Sequence, residues 1–260
     1  MPLRTIVAVR YVTPLREGGS LPAVVEGDDG GLYVLKFRGA GQGPNALVAE
    51  IIVGELARAA GLTMPEIVLI DLPADLSRTE PDPEIQDLIR ASAGLNIAFD
   101  YLPGATMFDP VADRPDAAMA ASIVWLDALT LNVDRTARNP NLLMWHRRLW
   151  LIDHGAALYF HHRGGDYRER ARDAFPLVAE HVLLPFAAPI GDVDDALAMR
   201  LAPAVVEDIV EAVPDAWLEH DRAFASAQAR RDAYVDFLHR RLVAPRAFVT
   251  EAERARSMHV

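Results

Sequence analysis

The segment at residues 131–158 constrains the fold of this chain more than any other part of the sequence. It reads LNVDRTARNPNLLMWHRRLWLIDHGAAL, a polar loop followed by apolar runs at 142–145 and 149–152 around the basic tip HRR. Short runs of β-forming residues on either side of a polar turn predict a β-hairpin. Because a hairpin folds the chain back on itself, we expect Asp153, which follows the second run, to approach the polar loop.

The polar loop and the end of the hairpin carry oxygen ligands. Asp134, Asn139 and Asn141 lie in the loop, and Asp153 follows the hairpin. Two carboxylates and an amide carbonyl suit Mg²⁺, which prefers a few protein oxygens together with oxygens of a bound phosphate. The sequence therefore predicts a site for magnesium and a phosphorylated ligand.

The same segment resembles the catalytic segment of the protein-kinase-like superfamily, in which a catalytic Asp precedes a metal-binding Asn, a hairpin and an Asp-x-Gly. Its sequence, NVDRTARNPNLL with LWLIDHGAAL, resembles most specifically that of the stand-alone bacterial HipA-like kinases. The resemblance implies an α+β, two-lobed protein-kinase-like fold. A β-rich N-lobe at 1–103 and an α-rich C-lobe at 104–260 would have an ATP cleft between them. The resemblance is good over about residues 5–160, and the remainder matches only as a helical lobe.

The resemblance also implies a role for each residue of the segment. Asp134 would orient the acceptor hydroxyl and accept its proton. Asp153 would bind Mg²⁺, assisted by Asn139 or Asn141. Asn139 has the family's spacing of five residues from Asp134, whereas Asn141 stands directly before a strand, as the family's metal-binding Asn does. Both asparagines remain candidates, and Arg135 is expected to anchor the loop to nearby carboxylates.

The chain has one lysine, Lys36, because the total of 26 Lys and Arg residues includes 25 arginines. A confined phosphate site that needs a compact ammonium does not tolerate arginine, whereas surface cations do. Lys36 lies in the second strand of a predicted hairpin at 21–26 and 32–37. Glu50 lies in the apolar stripe of a helix predicted at 46–60, and a core-facing carboxylate is rare unless it is paired. Lys36 with Glu50 would form the lysine–glutamate ion pair of kinases; alternatively, Glu50 merely caps or borders the stripe.

Two further stretches are expected to hold the nucleotide. Gly18-Gly19-Ser20 lies between predicted strands, where backbone N–H groups can approach a phosphate, although glycine pairs are also ordinary turns. A predicted strand at 96–99 leads into Asp100-Tyr101-Leu102, which the resemblance implies is the hinge whose backbone meets the adenine. With Lys36 on the α- and β-phosphates, the implied cofactors are ATP and Mg²⁺.

The remaining patterns predict a mixed chain with a helical C-terminal part. Strands are predicted at 4–12 and 67–71, and helices at 84–91, 116–131, 192–201, 203–213 and 222–242. The proline-containing segment at 73–94 is expected to be a surface excursion. The last dozen residues are expected to fray, and His161 and His162 are expected to be surface residues rather than metal ligands.

Composition excludes several classes of protein. The net charge of −11 argues against a broad nucleic-acid-binding face. The absence of cysteine excludes disulfides and thiolate metal sites. No apolar run reaches the roughly 18 residues of a membrane span, and the start of the sequence reads as a strand rather than a signal peptide. A cytoplasmic protein with no membrane span and no nucleic-acid partner is therefore expected.

These observations predict an ATP- and Mg²⁺-dependent kinase that moves the γ-phosphate to a hydroxyl, with protein Ser or Thr as the favoured acceptor. One alternative keeps the fold and the ATP chemistry but has a small-molecule or lipid acceptor. Another is a pseudokinase that binds nucleotide and serves as a scaffold. The joint presence of Lys36, Asp134 and Asp153 argues against the scaffold.

Overall fold

The computed structural model describes residues 3–15, 21–41, 43–162 and 167–258. The chain divides into two compact units, the first made of Met1–Leu47 and Pro65–Gly104 and the second of Val48–Met64 and Ala105–Val260. The predicted lobes at 1–103 and 104–260 stay a prediction. In the structure, most of the first helix groups with the second unit.

A closed β-barrel forms the first unit. Its strands are β1 (Thr5–Pro14), β2 (Ala23–Gly27), β3 (Leu32–Lys36), β4 (Ile67–Leu72) and β5 (Gly94–Asp100). They follow the order β1-β2-β3-β5-β4. Neighbouring strands are antiparallel, except for β1 and β4, which run parallel and close the barrel.

Side chains alternate between the inside and the outside of the barrel, as the pleat of a strand requires. From the third strand and its exit, Tyr33, Leu35 and Phe37 are buried in the barrel core, whereas Lys36 is half-buried on the opposite face.

The segment predicted as a surface excursion instead covers the barrel. After α1 (Pro44–Ala59), which begins in the first unit and continues into the second, the chain forms a 3-10 helix at Ala74–Thr79 and then α2 (Pro83–Ala91). Ile85 and Ile89 of α2 are buried in the barrel core. Burial of such a side chain contributes about 1.5–3 kcal/mol. The prediction of a surface excursion was wrong because it rested on the prolines of this segment. These prolines lie in the turns next to a packed helix.

Helix α3 (Ala117–Thr130) is the centre of the second unit. Asp116 caps its N-terminus by accepting a hydrogen bond from the backbone of Met119 at 2.8 Å. From Ala120 to Thr130 nearly every side chain is buried. In the described part of the chain, the second unit also contains a small sheet and further helices. These are β6 (Thr106–Met107), β7 (Leu142–Trp145), β8 (Arg148–Leu151), α4 (Tyr167–Arg170), α5 (Gly191–Arg200), α6 (Pro203–Glu211), α7 (Asp215–Leu218), α8 (Ala227–Leu242) and α9 (Ala247–Arg256).

The C-terminal residues do not fray as expected. They form α9, in which Phe248, Ala252 and Ala255 are buried. The ring of Phe248 packs edge-on against Trp125 of α3, with ring centroids 5.5 Å apart. Of the charged residues that suggested fraying, Arg254 is exposed and the others are half-buried. Glu253 Oε2 accepts from the backbone N–H of Ile190 at 2.7 Å.

Across residues 3–15, 21–41, 43–162 and 167–258, no helix is long and apolar enough to cross a membrane.

Candidate active site

The polar loop begins at the C-terminus of α3. Leu131 ends the helix in a left-handed conformation with φ of 55°. The next residue, Asn132, is buried, and its side-chain amide donates to Asp127 Oδ1 at 2.9 Å. Its carbonyl oxygen accepts from the backbone N–H of Asp134 at 3.1 Å. Asn132 thus links the helix to Asp134, a role that the sequence analysis did not predict.

Both candidate asparagines converge on Asp134. Asn139 Nδ2 donates to Asp134 Oδ2 at 2.7 Å, and Asn141 Nδ2 donates to the same oxygen at 3.3 Å. Asn141 Nδ2 also reaches the main-chain oxygen of Asp134 at 3.4 Å. A reciprocal pair of backbone hydrogen bonds between Thr136 and Asn139, both 3.1 Å, forms the tight turn that presents Asn139. The predicted loop residues are therefore close together, and neither asparagine is excluded as a metal ligand.

The strand pairing of the hairpin brings the backbone of Asp153 close to that of Asn141. Leu142 of β7 pairs with Leu151 of β8, and the next backbone N–H, of Ile152, donates to the main-chain oxygen of Asn141 at 3.1 Å. Asn141 and Asp153 both have left-handed backbones, with φ of 49° and 55°. Such conformations cost about 1–3 kcal/mol each and cluster at functional sites. The two predicted metal ligands thus flank the open end of the hairpin in strained, fixed conformations.

Arg135 donates several hydrogen bonds to the main chain at and next to the two predicted ligands. The side chain is buried, and Nε donates to Asp127 Oδ2 at 2.5 Å. Nη1 donates to the main-chain oxygens of Asn141 and, at 3.3 Å, of Ile152. Nη2 lies 3.2 Å from His154 Nδ1. The expectation that Arg135 anchors the loop to a carboxylate is confirmed, and its guanidinium also holds the residues next to Asp153.

Asp127 is a buried carboxylate with three donors. Besides Arg135 and Asn132 it accepts from His181 Nε2 at 2.9 Å. Burial opposes its ionisation, but the charge of Arg135 and the bond from His181 outweigh that cost, so the pKa of Asp127 lies well below its usual range. Burial lowers the pKa of His181. An ionised Asp127 therefore pairs with Arg135 while His181 stays neutral.

Glu50 of α1 fixes the turn that follows Asp153. Its side chain is buried, Oε2 accepts from the backbone N–H of His154 at 2.9 Å, and Oε1 accepts from Gly155 at 3.1 Å. Hydrogen bonds to a charged acceptor contribute about 1.5–3 kcal/mol. Sequence reasoning had not predicted this role. The predicted pairing of Glu50 with Lys36 stays a prediction.

Replacing Glu50 with glutamine should destabilise the protein, since one of the two N–H groups would then face an amide NH₂ instead of an oxygen. We expect the free energy of unfolding to fall by about 1.5–3 kcal/mol. Urea unfolding measures this loss. Glu55→Gln, on the same helix but in an ion pair with the partly exposed Arg58, is the matched control. Equal losses in the two variants would contradict the anchoring role.

The residues predicted to hold the phosphates belong to the first unit. Lys36 ends β3, and its Nζ lies 5.7 Å from the centroid of the Phe99 ring. Gly18, Gly19 and Ser20 lie outside the described residues. The glycine loop therefore stays a prediction.

The predicted hinge follows directly from β5. The backbone N–H of Asp100 donates to the oxygen of Glu66 at 3.0 Å, and that of Tyr101 donates to Leu32 at 2.9 Å. The side chain of Leu102 is buried. Among the described residues, the N–H of Leu102 has no backbone acceptor. The hinge stays a prediction.

His161 was expected at the surface, but it is buried, with Nδ1 2.9 Å from the hydroxyl of Tyr234. His162 is exposed, and its Nε2 lies 3.1 Å from His161 Nε2. Burial holds the pKa of His161 well below its usual value. No cluster of three or more His, Cys, Asp or Glu that could hold a metal is found among residues 3–15, 21–41, 43–162 and 167–258.

A family model described as HipA-like kinase matches residues 8–246. The chain belongs to the HipA-like kinase family. The match extends well beyond the residues 5–160 over which the resemblance was visible in the sequence, because it includes most of the helical part. A search of curated protein sequences found no match.

Solved kinase structures share the fold of this HipA-like kinase. The Golgi casein kinase is similar with a TM-score of 0.50 and 12% identity, over 98% of this chain and 72% of that one. The Golgi casein kinase with Mn/ADP bound gives 0.51 and 12%, over 98% and 73%. The proinflammatory kinase CtkA of Helicobacter pylori gives 0.50 and 12%, over 100% and 99%. The predicted α+β kinase-like fold is confirmed.

Proposed function

We propose that this HipA-like kinase transfers the γ-phosphate of ATP to a Ser or Thr hydroxyl of a protein in a Mg²⁺-dependent reaction. The observation that carries the proposal is the arrangement around Asp134. Two asparagine amides hold its carboxylate, and Asp153 follows the hairpin at Asn141. The family match supports a phosphotransferase.

Asp134 has the surroundings of the residue that orients the acceptor and takes its proton. Asn139 and Asn141 both donate to Oδ2. Among the described residues, no donor is recorded for the other oxygen, Oδ1, which is therefore available to an acceptor hydroxyl. Phosphoryl transfer depends mainly on positioning and charge stabilisation, and a carboxylate held by two amides is well positioned.

The residues at the hairpin fit a divalent cation. Asp153 supplies a carboxylate, and Asn139 and Asn141 each donate through nitrogen, which leaves a side-chain carbonyl oxygen for a metal. Carboxylate and carbonyl oxygens are the ligands that Mg²⁺ prefers beside phosphate oxygens. When bound, the metal would neutralise charge on the phosphates. One similar structure, the Golgi casein kinase, has Mn/ADP bound, which supports a metal–nucleotide pair here.

We propose further nucleotide contacts for residues of the first unit. Lys36 would neutralise the α- and β-phosphates, with Glu50 as its counter-charge and Gly18-Gly19-Ser20 covering them. The free N–H of Leu102 would bind the adenine as part of the hinge that Asp100 and Tyr101 begin. Support comes from the single lysine of the chain and from the hydrogen bonds that occupy the two preceding amides.

A protein acceptor is supported by the name of one similar protein, the Golgi casein kinase, of which two structures match. Phosphoproteomics after incubation of the enzyme and ATP with a protein extract would identify Ser or Thr acceptors. Phosphate appearing only on small molecules or lipids would instead support the alternative acceptor class.

Calorimetry of ATP binding with and without Mg²⁺ tests the nucleotide site. We expect the wild type to bind more tightly with Mg²⁺. Asp153→Asn and Lys36→Ala should each weaken binding about tenfold or more, because each removes a charge-assisted contact worth about 1.5–3 kcal/mol. Lys36→Arg should fail as Lys36→Ala does if the site is confined.

Asp87→Asn, at an exposed ion pair with Arg90, is the control and should bind as the wild type does. A wild type that shows no Mg²⁺-dependent binding would contradict the proposed function. Binding that survives both Asp153→Asn and Lys36→Ala would place the nucleotide elsewhere.

A further inference from the structure

Residues 175–184 lie alongside the polar loop that carries Asp134. Thr136, two positions after Asp134, forms an antiparallel bridge with His181. The backbone N–H of Val182 donates to the main-chain oxygen of Arg135 at 3.1 Å. The segment leads into this pairing through a 3-10 helix at Pro176–Glu180. Its backbone therefore fixes the loop that carries Asp134.

The side chain of His181 adds a second connection, and its hydrogen is assigned by its partners. The backbone N–H of Leu183 donates to His181 Nδ1 at 3.1 Å. Because a backbone N–H can only donate, Nδ1 is the acceptor and the hydrogen of the neutral ring lies on Nε2. That Nε2–H points at Asp127 Oδ2, 2.9 Å away. Both ring nitrogens are thus satisfied within a residue that is 6% exposed.

A continuous chain of hydrogen bonds leads from His181 to the proposed metal ligands. Asp127 Oδ2 accepts from both His181 and Arg135. The Nη1 of Arg135 holds the main-chain oxygens of Asn141 and Ile152, the second of which directly precedes Asp153. A shift of Asp127 would therefore move the guanidinium that sets the separation of the two ligands. Substitution of a residue that holds a metal ligand in place without binding the metal itself typically lowers metal affinity by about 10- to 100-fold.

We propose that His181 is a positioning residue for the metal site, which acts through Asp127 and Arg135 on Asn141 and Asp153. The affinity for the metal–nucleotide complex thereby depends on the conformation of residues 175–184. This inference rests on the proposed function, since it concerns the same site.

Two substitutions separate the two hydrogen bonds of His181. In His181→Asn the side-chain oxygen can take the place of Nδ1 and accept from Leu183, but the donor to Asp127 is lost. In His181→Gln the longer amide can place its NH₂ near Asp127, but the acceptor for Leu183 is lost. We expect His181→Asn to raise the Mg²⁺ concentration for half-maximal ADP binding about tenfold. In His181→Gln this Mg²⁺ concentration should stay close to that of the wild type.

Calorimetry with ADP and Mg²⁺ gives this concentration without any phosphoryl transfer, and urea unfolding gives the stability of each variant. His161→Asn is the matched control. His161 is also a buried histidine, and its ring nitrogens contact Tyr234 and His162. We expect His161→Asn to lower the free energy of unfolding and to leave the Mg²⁺ concentration for half-maximal ADP binding unchanged.

Equal Mg²⁺ requirements in His181→Asn and the wild type would overturn the inference and leave the proposed function intact. Equal increases in His181→Asn and His181→Gln would also overturn it, because they would show that His181 acts only by folding its segment. A wild type without Mg²⁺-dependent ADP binding would overturn both the inference and the proposed function.

Discussion

Asp134→Asn is expected to reduce phosphoryl transfer by about 10²- to 10⁴-fold, the range that a positioned acid or base contributes. The asparagine keeps the size of the side chain, and Asn139 and Asn141 can still hold its oxygen. It cannot take the proton of an acceptor hydroxyl. Nucleotide affinity should therefore stay close to that of the wild type, and the loss should lie in kcat rather than in KM.

The measurement is the rate of ADP formation from ATP with acceptor protein, next to calorimetry of ATP and Mg²⁺ on the same preparation. Asp87→Asn is the control, because it makes the same chemical change at an exposed position. Transfer that persists at the wild-type rate in Asp134→Asn would remove Asp134 from the chemistry. Binding without transfer in the wild type itself would favour the pseudokinase alternative.

The sequence predicted the hairpin of the candidate site because alternation and turn residues are local signals. It placed the second strand at 149–152, whereas β8 is Arg148–Leu151. The reason is the turn, in which His146 and Arg147 both have positive φ, 48° and 63°. Two-residue turns with two positive φ values match the twist of the flanking strands. Because this turn contains neither glycine nor asparagine, no turn signal indicates this conformation, and the pattern HRR predicts a three-residue tip.

The contacts that fix the site could not be predicted, because they join residues that are far apart in the sequence. Glu50 meets the turn after Asp153 across 104 and 105 positions, and His181 meets Asp127 across 54. Periodicity indicates which side chains are buried and does not name their partners. The argument that singled out Glu50 applied equally to Asp127.

Asp127 is the only charged residue in the sequence of α3, AAMAASIVWLDALT. A carboxylate in so apolar a helix is rare unless it is paired. That signal indicates a buried partner, and Arg135 is eight positions away. Arg135 was expected to anchor the loop to nearby carboxylates, but Asp127 was not predicted to be one of them.

Asp127→Asn is expected to cost stability more than any other substitution considered, since it leaves the buried charge of Arg135 without its counter-ion. Removing one partner of a buried ion pair typically lowers the free energy of unfolding by about 3–5 kcal/mol. For a chain of this size, that loss corresponds to a decrease in Tm of roughly 6–20 °C. Thermal unfolding followed by circular dichroism measures it. Asp87→Asn, which breaks an exposed pair, should cost about 1 kcal/mol or less.

The pH dependence of the stability difference between the wild type and Asp127→Asn shows whether that difference is electrostatic. The pKa of Asp127 is depressed in the folded protein, so its stabilisation is present above the unfolded value of about 4. It is lost as the pH falls through the folded value. The gap between the wild type and Asp127→Asn should therefore be full at pH 7 and shrink below about pH 4. A gap that stays constant down to the acid limit would show that shape rather than charge makes Asp127 necessary, and Arg135 would then be held by its carbonyl contacts alone.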